Sequence, residues 1–67
     1  MIRTYEKLKA EARDAIAAKD YGKIHESIGR ITMAYELGQL SWNQENELLE
    51  MLENAVALWW RSDHESN

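Results

Sequence analysis

Two imidazoles, four closely spaced glutamates and three glycines are the groups from which this sequence would have to build chemistry. His25 and His64 are the residue type for acid–base work or metal binding near neutral pH. Neither has a close-spaced partner that would make a recognisable triad or metal motif, which leaves them as solvent-facing or packing histidines. Glu45 with Glu47, and Glu50 with Glu53, are pairs that could share general-acid and general-base roles, and the simpler account is a solvated acidic helix face. Gly22, Gly29 and Gly38 form no phosphate-binding loop, because they fall within or at the end of helical segments and follow no strand. No catalytic, cofactor or metal site is expected, and the chain reads as a non-enzyme.

The elements that hold these residues are helices. Tyr5, Leu8, Ala12, Ala15 and Ile16 share one narrow face of a segment running over about 3–19. Asp20 is a suitable cap for a second helix over 21–37, whose Tyr21, Ile24, Ile28, Ile31 and Tyr35 recur at spacings of three and four. Gly38 stops it by taking the left-handed conformation, with Leu40 folding back on the last turn. Ser41 opens a third helix over 42–61, and Gln44 three residues later completes an S-x-x-Q capping box. Residues 62–67 are polar and without period, and read as a frayed tail. Connections of a few residues favour antiparallel neighbours, so the expected fold is all-α: a small three-helix bundle, or a helical hairpin plus a third helix, in one domain over 1–67.

The third helix carries the most information. At 100° per residue its apolar side chains, from Leu58 and Met51 through Leu48, Trp59 and Leu52 to Leu49 and Trp60, span about 200°, twice the stripe of a helix resting on one neighbour. Trp42 and Trp60 share one angular position about 27 Å apart, with Leu49 and Val56 between them. This edge is an aromatic-anchored binding surface of the kind in which hot spots are enriched, unless the first helix covers it as core. Trp59 points nearer the centre of the arc and is expected in the core. Glu45 falls inside the apolar arc in the first turn, where its carboxylate either complements the helix dipole or meets a partner's Arg or Lys. Gly29, inside the second helix, costs about 1 kcal/mol relative to alanine, so a backbone or large ring is expected to pass close, within the domain or at an interface.

Size and charge narrow the partner. At 67 residues a single core is marginal, and without cysteine no disulfide can help it. Self-association or partner binding is the remaining support, and a homo-oligomer is expected. Eight basic against twelve acidic side chains give a net charge of −4, which opposes adhesion to phosphate backbones and favours basic protein surfaces. The start lacks the layout of a signal peptide and no apolar run approaches a membrane span, so a cytoplasmic protein is expected.

Two functional readings follow. The first is a small acidic protein-interaction module using Trp42, Glu45, Leu49, Val56 and Trp60. The alternative is a helix-turn-helix regulator built on Leu37 to Ser41. Its third helix would bring one basic residue, Arg61, against four glutamates, so phosphate contacts would be scarce and nucleic acid is disfavoured. In size, and in the Gly-x-Leu-Ser-x-x-x-Glu layout of Gly38 to Glu45, the chain resembles the short helical accessory proteins of phages and other mobile elements. The resemblance implies an inhibitor or regulator of a host macromolecule, including anti-restriction and anti-CRISPR types, whose acidic surface competes for a basic groove.

Overall fold

The computed structural model describes residues 2–65, and the side chains of residues 4–63. Three helices follow one another: α1, Ile2–Ala18; α2, Tyr21–Glu36; α3, Trp42–Glu65. Each packs on the other two, so the arrangement is an all-α three-helix bundle. His64, the second of the two imidazoles, has its side chain outside the described residues.

Local chemistry sets the helix ends. The Asp20 carboxylate accepts from the backbone N–H groups of Gly22 at 2.9 Å and Lys23 at 3.3 Å, satisfying two donors that α2 cannot satisfy itself. Ser41 and Gln44 form the reciprocal box: the Gln44 N–H donates to Ser41 Oγ and the Ser41 N–H to Gln44 Oε1. Gly38 takes φ +77°, while its N–H donates to the Tyr35 carbonyl and the Gln39 N–H to that of Ala34, a Schellman closure.

The end of α1 uses the same closure, with Lys19 donating to Ile16 and Asp20 to Ala15, but there the left-handed position is Lys19 at φ 53°. A side chain in that conformation costs roughly 1–2 kcal/mol. At its other end the bundle departs from the expected frayed tail, since α3 continues to Glu65. No glycine or proline follows Arg61 to stop it, and Asp63 and Glu65 are tolerated in a helix. Residues 66–67 lie outside the described residues.

The core is small and made where the three apolar stripes converge. Leu8, Ala12 and Ala15 come from α1, Ile24, Ile31 and Ala34 from α2, Leu48 and Leu52 from α3, and Leu40 folds in from the α2–α3 turn. The two alanines let α1 approach closely, and Ile31, Leu48 and Leu52 are the large side chains sealed completely. Polar contacts then fix the register. Arg30 on α2 pairs with Glu11 on α1 at 3.2 Å. The Tyr5 hydroxyl of α1 donates to Glu47 of α3 at 2.6 Å, with Lys9 donating to both groups.

At 24 residues α3 is about 36 Å long, against about 24 Å for the 16-residue α2. Trp59 meets Tyr21, the first residue of α2, edge-on with ring centroids 5.5 Å apart. The last turns of α3 therefore run beyond the start of α2, and the molecule measures 45 × 19 × 15 Å. No helix among the described residues is long and apolar enough to cross a membrane.

Candidate protein-docking groove

The 200° apolar arc of α3 is shared among three environments. Its middle, Leu48 and Leu52, is core. One flank turns toward α1, where Met51 is half-buried, and ends on Leu58, which is 61% exposed. The other flank, from Leu49 through Val56 to Trp60, turns toward α2. The Tyr5–Glu47 bond places α1 on the opposite side of α3, so α1 does not cover this edge. Which neighbour lies on which side depends on the handedness of the bundle, and helical periodicity does not encode handedness.

Between α2 and α3 this edge opens into a groove of about 550 Å³. Tyr21, Ile24 and Ile28 form one wall, and Leu52, Val56 and Trp60 form the other, with His25, Glu53 and Arg61 at the lips. The helical spacing that supplies the core supplies the groove as well: Ile24 and Leu52 are buried at its floor, Ile28 and Val56 half-buried, and Tyr21 and Trp60 exposed at its mouth. Trp60 is 60% exposed. A concave, largely apolar site with a few polar groups at its edge is the form that protein anchors and small ligands both use.

The five residues singled out from the sequence are only partly brought together. Val56 and Trp60 share the α2/α3 groove, and Leu49 packs half-buried against the core. Trp42, 64% exposed, borders a different, shallow hollow on the outer side of α3 with Asn46, Glu47 and Glu50. Glu45 is half-buried in the first turn of α3. Trp59, expected in the core, is packed against it but stays half-buried. The α2 wall, Tyr21, Ile24 and Ile28, was legible only as a stripe. Nothing in its spacing separates residues facing the core from residues facing the groove.

Of the glutamates that could pair for acid–base work, Glu47 is tied into a contact between helices. Glu47 is engaged by Tyr5, whose hydrogen bond is the main cause that holds its carboxyl below the usual value of 4.5, helped by Lys9 and opposed by partial desolvation. Lys9 is correspondingly held above its usual 10.5, first by its bond to Tyr5 and then by Glu47, and its ammonium lies 5.5 Å from the Tyr5 ring centroid. This cluster joins α1 to α3. Glu50 and Glu53 remain on the exposed side of α3. Among the described residues no group of three or more His, Asp or Glu is placed to hold a metal ion.

Gly38 takes the expected left-handed conformation, whereas Gly29 finds no close neighbour within the domain. A Cβ at Gly29 would meet nothing within 4 Å, so among the described residues no backbone or ring of another element passes close to it. A Cβ at Gly22 would meet only the capping Asp20 carboxylate, at 3.2 Å. Gly29 instead borders a second groove of about 560 Å³ between α1 and α2, where Met33 and Leu37 are exposed among Lys7, Glu11, Glu26 and Arg30. Its many charged walls make it a wetter surface than the α2/α3 groove. Comparison with protein-family models, characterised proteins and solved structures finds no match for this chain.

Proposed function

We propose that this chain is a small acidic protein-interaction module that regulates or inhibits a target by occupying one of its surfaces, and that the α2/α3 groove is where it docks. The observation that carries the reading is the groove itself: apolar along both walls, with two aromatic rings, Tyr21 and Trp60, exposed at its mouth. Tyr and Trp are enriched among side chains that dominate binding energy, because they offer large area for few rotatable bonds. The net charge of −4 and the glutamates along α3 disfavour a phosphate backbone and favour a basic protein surface. A chain without cysteine suits the reducing conditions of the cytoplasm. The likeness in size and layout to mobile-element accessory proteins agrees with an inhibitory or regulatory role.

Affinity capture from the source cells tests this. Wild type, Val56→Arg in the groove and Met33→Arg in the α1/α2 groove serve as three baits, each checked for helicity. Proteins held by wild type and Met33→Arg but lost by Val56→Arg support docking in the α2/α3 groove. Retention of the same proteins by all three places the docking surface elsewhere.

A further inference from the structure

Resting on the reading of the α2/α3 groove as a docking surface, we infer that one occupant of its α3 lip is a second copy of this chain, in an antiparallel, two-fold α3–α3′ pairing centred on Ala57. Glu53, Ala57 and Arg61 follow at intervals of four residues, all exposed, so they rise along one side of α3 by about 6 Å per step. Alanine at the middle position allows two helix backbones to approach closely. The charges on either side of it are opposite, and among the described residues neither has an ion-pair partner.

A two-fold axis beside Ala57 converts that pattern into complementarity. Reversing one helix puts Arg61′ at the level of Glu53 and Glu53′ at the level of Arg61, so one sequence supplies both ion pairs. An isologous contact requires this kind of self-matching surface. Any parallel alignment in register would set Glu53 against Glu53′. Trp60 and Val56 lie on the same flank of Ala57, so pairing sets the two groove mouths side by side at the crossing.

The exposed area supports a second copy. The chain exposes 5007 Å², whereas a compact monomer of 7.8 kDa exposes about 4,400 Å². The excess of roughly 600 Å² approaches the ~800 Å² that each partner contributes to a stable standard-size interface. The radius of gyration of 12.7 Å points the same way, against about 11 Å for a compact chain of this length. The pairing leaves Trp42, about 22 Å along α3 from Ala57, clear of the crossing, together with the α1/α2 groove on the far side of the bundle.

Sedimentation equilibrium of the full chain between 1 and 100 µM (concentrations chosen to span about two decades around a typical weak dimer) tests the pairing with four proteins: wild type, Glu53→Arg, Arg61→Glu and the double swap. The expected result is a wild-type dimer, at least a tenfold weaker dissociation constant for each single swap, and recovery in the double swap, with helicity unchanged throughout. A wild type that stays monomeric at the highest concentration overturns the pairing. Under that outcome, loss of captured proteins by Val56→Arg shows that the groove serves a different protein, and retention shows that the groove reading has failed too. A dimer indifferent to both single swaps overturns the pairing by placing the contact on another face.

Discussion

Truncating Leu52 and Leu58 to alanine, one at a time, asks how the broad apolar arc of α3 is divided. The two side chains are chemically identical, lie on the same helix and differ in environment: Leu52 is sealed completely, with its neighbours Ile31 and Leu48 equally buried, while Leu58 is 61% exposed. Removing a buried leucine side chain loses its transfer free energy and leaves a cavity, for a cost of about 2–5 kcal/mol. Surface truncation away from special features stays within about 0.5 kcal/mol. A chain of this length has a total stability on the order of 3–10 kcal/mol, so Leu52→Ala removes a large share of it. At about 4–8 °C per kcal/mol for a small domain, a 3 kcal/mol loss lowers the midpoint by roughly 12–24 °C. Urea unfolding followed by circular dichroism at 222 nm, at a protein concentration below any association, reads both variants. Equal losses at the two positions would show that the arc is not divided as described, and the groove would lose its floor.

Three further outcomes follow from single features. Gly29→Ala should raise stability by up to about 1 kcal/mol, since alanine is the better helix former and the added methyl meets nothing within 4 Å; a loss in dilute solution would mean that something does approach there. Lys19→Gly should stabilise by about 1 kcal/mol by relieving the left-handed residue between α1 and α2, offset in part by the entropy of glycine in the unfolded chain, and thermal melts would show it. Tyr5→Phe should remove one contribution that needs Glu47 ionised, beside the Lys9–Tyr5 bond, which does not. Because Tyr5 depresses the Glu47 pKa, that contribution is present above the usual value of 4.5 and lost as pH falls through the lower folded value. The stability difference between wild type and variant should thus shrink as pH falls from 4.5 through that lower value, and a difference that stays constant down to about pH 2 would mean that the bond to Glu47 contributes nothing.

The parts of the fold that are local in sequence were legible in it. The Ser41–Gln44 box, the Asp20 cap and the left-handed Gly38 depend on residues within five positions of one another, and each is found in the structure as its chemistry requires. Lys19 carries no such signal, because glycine is the usual sign of a left-handed helix end and α1 ends that way without one. The Tyr5–Glu47 bond joins residues 42 positions apart, so no periodicity announces it. The candidate site was half-legible for a related reason. The width of the α3 arc showed that it must meet more than one neighbour, and Val56 and Trp60 do line a groove. That the facing wall is Tyr21, Ile24 and Ile28 of α2, and that Trp42 turns toward a separate hollow, follows from the handedness of the bundle and from where α3 outlasts its neighbours.

The α2/α3 groove is proposed to receive protein. Placing a photo-crosslinking phenylalanine analogue at His25, an exposed lip of that groove, and in a second version at Met33 of the α1/α2 groove, tests it inside the producing cells. Illumination should yield discrete adducts heavier than the chain from the His25 version and far fewer from the Met33 version. Adducts of equal yield from both positions, or none from His25, would contradict the account.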